Sequence, residues 1–117
     1  GGFQMTIQEL GTIAQYNLPV KVVLLNNQFL GMVRQWQELF FESRYASTGL
    51  SNPDFCKISE GFGVPASRIS ERSQLDGALK ALLASDGPGV LEIEVEKEEN
   101  IFPMVPAGAS VSDIRLE

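Results

Sequence analysis

Apolar residues fall into two rhythms along this chain, one repeating every three to four positions and one nearly unbroken or alternating. Ile7, Leu10, Ile13 and Ala14 recur at helical spacing behind "TIQE", Thr6–Glu9. That tetrapeptide reads as a capping box, in which Thr6 caps the first turn and Glu9 reaches back. "NLP" at Asn17–Pro19 ends the helix. Val20–Leu25 is almost continuously apolar, which predicts a strand in mid-sheet buried on both faces. Gly31–Phe41 turns helical again. Met32, Val33, Trp36, Leu39 and Phe40 share one broad face, and Arg34, Gln35, Gln37 and Glu38 mark the other.

Beyond a loop at "RYASTGLSNPD", Asn52 as cap and Pro53 at the first helical position predict a helix carrying Phe55, Ile58 and Phe62 and ending near Gly61 or Gly63. "VPASRIS" contains a short extended piece. Ser73–Ala84 is the clearest helix, with Leu75, Ala78, Leu79, Leu82 and Leu83 on one stripe and Gly87-Pro88 behind it. "VLEIEVE" alternates, with Leu91, Ile93 and Val95 on one side and Glu92, Glu94 and Glu96 on the other. Such a strand has one wet face and is expected near a sheet edge or at an exposed end. The tail "IFPMVPAGAS" has no period. Helices alternating with strands predict a three-layer α/β domain on a parallel sheet. A mid-sheet Val20–Leu25 then calls for a further strand ahead of Gly1, and the abrupt "GGFQMT" start is expected to be the edge of a longer protein.

The 117 residues carry a net charge of −6, with nine scattered Lys and Arg. Nucleic-acid binding is not expected, because phosphate contacts need clustered positive charge. The apolar runs are too short to span a bilayer. A diphosphate ligand stays open, since a metal ion and backbone N–H groups can neutralise it. There is no histidine and one cysteine, so the chain itself offers no Cys–His or Ser–His pair, no internal disulfide and no zinc site. Cys56 reads as a small core residue.

In open parallel sheets ligands sit beyond the carboxyl ends of the strands, where Asn26 and Asn27 lie. A carboxamide oxygen suits a hard cation such as Mg²⁺, which combines a few protein oxygens with water and phosphate. Gly1-Gly2 ahead of a helix is a natural diphosphate seat. Asparagines after a strand are also common turn formers, and the pattern alone leaves both readings open.

The segments "GGFQMTIQEL", "LPVKVVLLNNQFLGMVRQWQELFFESRY", "NPDF" and "ENIFPMVPAGA" resemble the C-terminal, thiamine-diphosphate-binding domain of acetohydroxyacid synthase (acetolactate synthase) catalytic subunits. The likeness covers the whole chain, 1–117, as the C-terminal part of that domain. Thiamine-diphosphate enzymes share a motif opening with Gly-Asp-Gly and closing with Asn-Asn, and the interval from Gly1 to Asn26-Asn27 fits it. "GMVRQWQ" and "FPMVPAG" are narrower signals. The resemblance implies that Gly1 and Gly2 approach the diphosphate, and that Asn27 (side-chain oxygen) and Phe29 (backbone carbonyl) bind Mg²⁺. Gln28, Leu30, Gly31 and Met32 would line the cofactor, and Met32 and Trp36 the substrate pocket. The plain alternative for Trp36 is a core aromatic at helical spacing.

The same resemblance implies decarboxylation of pyruvate and condensation of the two-carbon unit with a second 2-keto acid, pyruvate or 2-ketobutyrate, in branched-chain amino acid biosynthesis. FAD would be held by another domain. The partners would be like subunits, as a homodimer or tetramer, with a regulatory small subunit as a further candidate. The location would be cytoplasmic in a bacterium and an organelle in a plant or fungus. The motif's aspartate and the family's activating glutamate have no counterpart here, so no catalytic residue is assigned and the isolated chain is expected to be inactive. The alternatives are another thiamine-diphosphate carboligase or decarboxylase, such as glyoxylate carboligase, and a non-catalytic α/β module that binds a partner.

Overall fold

A computed structural model describes residues 1–116. Three parallel strands, β1 (Lys21–Asn26), β2 (Ala66–Ile69) and β3 (Gly89–Glu94), form one sheet in the order β1-β3-β2. The register sets Val22, Leu24 and Asn26 of β1 beside Val90, Glu92 and Glu94 of β3, with Ala66 and Arg68 of β2 on the other side of Val90 and Glu92. Alternation places these residues on one face of the sheet. Against that face pack the short α1 (Gly2–Met5), α2 (Glu9–Gln15) and α4 (Phe55–Gly61). Leu10 of α2 closes onto Val64 and Val90, with Val22 and Ala66 around them. The opposite face carries α5 (Leu75–Ala84), whose Leu75 lies beside Ile69 and Ile93. The predicted three-layer parallel α/β architecture is therefore present.

Several local expectations change. Thr6 does not start a helix: its hydroxyl donates to the Phe3 carbonyl at 3.4 Å and it caps the end of α1, while α2 starts after Gln8. Residues 2–5 are already helical, and bonds from Glu9, Leu10 and Gly11 back to Thr6, Ile7 and Gln8 carry the chain through the junction. At α4 the cap is Asp54, which accepts from Lys57 N at 3.1 Å, and Asn52 points elsewhere. Gly63 then takes φ +81, the left-handed turn that glycine adopts without a Cβ penalty.

β1 and β3 exchange the places expected of them. β1 pairs only with β3 among the described residues, and on the face away from α2 its Val23 and Leu25 are 45% and 64% exposed. Among the described residues β1 is therefore an edge strand with one open face. β3, expected near an edge because of its glutamates, is the central strand, and Glu92 is 1% exposed. A buried carboxylate is costly unless paired, and Glu92 is paired from both neighbours. Asn26 Nδ2 donates to Oε1 at 2.7 Å and Arg68 Nε donates to Oε2 at 2.9 Å.

Helix α3 (Gly31–Phe40) is turned the other way from its pattern. Arg34 and Gln35 are buried, at 7% and 2% exposure, while Met32, Val33 and Phe40 lie open. The buried pair grips the C-terminal segment. Gln35 Nε2 donates to the Ile101 carbonyl and Gln35 Oε1 accepts from Ile101 N, both at 2.9 Å. Arg34 reaches the Lys97 carbonyl at 3.2 Å, pairs with Glu38 at 3.2 Å and lies 4.8 Å from the Tyr45 ring centre. Those directed bonds satisfy the polar groups and leave the apolar side outward.

Candidate functional site

The carboxyl end of β1 opens into a turn of two interlocked amides. Asn26 Oδ1 accepts from Gln28 N at 3.0 Å, and Asn27 Oδ1 accepts from Phe29 N at 3.1 Å. Each is an Asx-type bond that bends the chain with a short polar side chain. Gln28 sits at φ +60, a left-handed conformation that these bonds help to hold. Residues 28–30 are anchored to the following loop by Leu50 N to Gln28 O and Leu30 N to Thr48 O, both 2.8 Å. Arg34 N takes the Leu30 carbonyl. The Phe29 carbonyl between them receives none of the loop and cap backbone bonds among the described residues. Asn27 Oδ1, with one bond accepted, keeps a second lone pair. Two neutral oxygens thus remain available at the tip of β1, the donor type that Mg²⁺ takes.

Gly31 opens α3 next to this turn. A Cβ there would stand 3.1 Å from Asn27 Nδ2, a tight contact that would make the Asn27 carboxamide shift by a few tenths of an ångström. Leu30 precedes α3 as its cap residue, and Met32 follows as its second residue, 52% exposed. Gly1 arrives from the chain start: a Cβ on it would meet Leu30 Cδ2 at 3.2 Å. Gly2 begins α1 in open space. Trp36 lies one turn beyond Met32, half-buried, with its ring 5.2 Å from that of Phe40. The fold therefore gathers Gly1 and Asn27–Met32 around one turn and sets Trp36 further along α3.

A cleft of about 410 Å³ flanks the turn, lined by Asn26, Gln28, Asn52, Asp54, Arg68 and Glu92. A smaller one of about 180 Å³ lies between Asn26–Gln28 and Glu94–Lys97. The larger cleft holds residues that pattern reading passed over. Asn52 Nδ2 donates to Asn26 Oδ1 at 2.8 Å, and its own Oδ1 is buried without a hydrogen-bond partner. Arg68 Nη2 meets Asp54 Oδ1 at 3.2 Å while its Nε holds Glu92. The Asp54 carboxyl lies below its ordinary value, first because Lys57 N donates to it; burial opposes this, and the Arg68 and Lys57 charges add to the lowering. The hydrogen bond to Glu92 raises Arg68 further. Burial pushes the Cys56 thiol up, and Glu92, whose Oε2 is 3.8 Å from Sγ, pushes the same way. One signal could have found this group: charges of opposite sign, Arg68 and Glu92, each inside a short strand segment.

Residues 1–93 match the family model described as thiamine pyrophosphate enzyme, C-terminal TPP binding domain. The chain is 49% identical over 97% of its length to the acetolactate synthase isozyme 2 large subunit of Escherichia coli (strain K12), covering 21% of that protein. It is 44% identical over 95% of its length to the mitochondrial acetolactate synthase catalytic subunit of Aspergillus candidus, covering 16%. It is 43% identical over its whole length to the chloroplastic acetolactate synthase 1 of Oryza sativa subsp. japonica, covering 19%. The chain thus spans about a fifth of the length of these relatives. Among solved structures, a thiamine diphosphate-dependent 4-hydroxybenzoylformate decarboxylase of Rhodococcus jostii RHA1 superposes with a TM-score of 0.74 at 26% identity, over 80% of this chain and 18% of that one. No described helix is long and apolar enough to cross a membrane. With a parallel sheet delivering an amide turn at its strand tip and a family match over most of its residues, this chain belongs to the C-terminal TPP-binding domains of the thiamine pyrophosphate enzymes.

Proposed function

We propose that the chain is the cofactor-binding part of an acetolactate synthase catalytic subunit, which decarboxylates pyruvate and joins the two-carbon unit to a second 2-keto acid, pyruvate or 2-ketobutyrate. The observation that carries this reading is 43–49% identity, over nearly the entire chain, to acetolactate synthases of a bacterium, a fungus and a plant. Thiamine diphosphate supplies the carbanion chemistry when bound, and the protein supplies placement. Asn27 Oδ1 and the Phe29 carbonyl hold Mg²⁺. Gly1, Gly2, Gln28, Leu30 and Gly31 line the diphosphate side. Met32 and Trp36, on the outward apolar side of α3, bound the substrate space. That placement is supported by the free carbonyl of Phe29 and the spare lone pair of Asn27, and by the glycine that makes room for the carboxamide. FAD, like subunits and a regulatory small subunit belong to the rest of such an enzyme. Its location follows its source, cytoplasmic in a bacterium and an organelle in a plant or fungus.

Likeness to a 4-hydroxybenzoylformate decarboxylase supports a second reading, a decarboxylase of an aromatic 2-keto acid. The lower identity of 26% makes it the weaker one. Both are tested in a full-length protein carrying this segment. Asn27→Ala is expected to weaken Mg²⁺-dependent thiamine diphosphate binding at least about tenfold in calorimetry, with the fold intact, because a metal ligand is lost. Unchanged affinity would remove Asn27 from the site. Acetolactate formed from pyruvate supports the first reading, and turnover of benzoylformate without carboligation supports the second.

A further inference from the structure

The second asparagine faces the cofactor in the reading above, and the first has no role in it. Asn26 is nevertheless the most tightly held residue of the turn. Its Nδ2 donates to Glu92, and its Oδ1 accepts from both Gln28 N and Asn52 Nδ2. Every one of these bonds fixes the rotation of the carboxamide, and the bond to Gln28 N sets the left-handed peptide that carries the chain to Phe29. Asn52 leaves its own oxygen buried without a partner while its amide nitrogen reaches Asn26. Glu92 is held in turn: it lies buried in the central strand, and Arg68 from the far strand donates to its other oxygen. A line of directed contacts therefore runs across the sheet from β2 through β3 to the tip of β1, and it ends one residue before Asn27.

We infer that Glu92 is a positioning residue for the cofactor turn, holding Asn26 so that the Asn27 oxygen and the Phe29 carbonyl are set for a metal-bound diphosphate before it arrives. The inference rests on the thiamine diphosphate reading. Preorganisation of this kind appears in affinity, because a turn already formed loses less freedom on binding. In this inference Glu92 acts through Asn26, so turnover once the site is full is expected to stay close to the parent's.

The test uses a full-length protein carrying this segment, with Mg²⁺ and thiamine diphosphate as the probes. Glu92→Leu fills the space and removes the acceptor. It is expected to raise the dissociation constant for thiamine diphosphate about tenfold by calorimetry, with turnover at saturating cofactor within about threefold of the parent. Glu92→Gln keeps an oxygen for Asn26 and is expected to restore affinity to within about threefold of the parent. If Glu92→Leu fails to fold, Asn26→Asp carries the test: it turns the donor into a carboxylate facing Glu92 and is expected to show the same loss. Parent-like affinity in the folded Glu92→Leu or in Asn26→Asp overturns the inference, as does a loss in turnover with affinity unchanged. Asn27→Ala separates the two levels. If it abolishes binding while the Glu92 and Asn26 variants bind normally, only the positioning role fails. If the parent itself binds no thiamine diphosphate, the functional reading fails and takes the inference with it.

Discussion

β3 and α3 each bury polar side chains, and they do so by different means. In β3 a charged carboxylate is enclosed and meets an amide on one side and a guanidinium on the other. In α3 a neutral amide is enclosed and meets the main chain of Ile101 twice. Glu92 has one partner that can leave, since the Arg68 side chain is 39% exposed and can turn into water. Gln35 has partners that cannot, since the Ile101 N–H and C=O stay where the chain puts them. Burial alone would rank the charged site as the more vulnerable one. The mobility of the partners reverses that order, because the main cost of deleting a polar group is the unsatisfied partner it leaves behind.

The largest effect is expected at Gln35. Gln35→Leu strands a donor and an acceptor and is expected to lower stability by about 2–4 kcal/mol in urea denaturation. Glu92→Leu is expected to cost less, about 1–2 kcal/mol, because Arg68 rehydrates. A larger loss at Glu92 than at Gln35 would refute the mobility argument.

The acid limb sharpens the charged side of the comparison. Asp54 titrates below its ordinary 3.8, chiefly through Lys57 N, so its contribution is present above pH 4 and is lost as pH falls through the lowered value. Asp54→Asn keeps a cap acceptor and should flatten the fall in melting temperature below pH 4. The smallest effect is expected at Cys56. Its raised thiol should react with iodoacetamide more slowly than a free thiol at pH 8.5, and Glu92→Gln should bring part of that rate back. Because the folded protein holds this proton more tightly than the unfolded chain, stability should also drop slightly as pH rises past 9.

Periodicity located the elements well, since each depends on its own residues. The strand after "NLP", the helix from Gly31, the short strand at 66–69 and the helix ending at Ala84 all stand close to where their patterns put them. What periodicity could not supply was orientation. A two-sided pattern says that the faces differ, and partners distant in sequence decide which one turns inward. Glu92 went in because Arg68 and Asn26 meet it from other strands, and Met32 and Val33 stayed out because Arg34 and Gln35 found the tail. The Asn26-Asn27 turn was legible at the strand tip, whereas its support from Asn52 and Glu92 comes from 26 and 66 residues away.

The grip of Gln35 on Ile101 has a consequence for how the tail can change. An amide that reads only peptide groups is indifferent to the side chain hanging between them. Position 101 can therefore drift through many residue types while the path of the segment stays the same. Proline is the exception, because it would withdraw the very hydrogen that Gln35 receives.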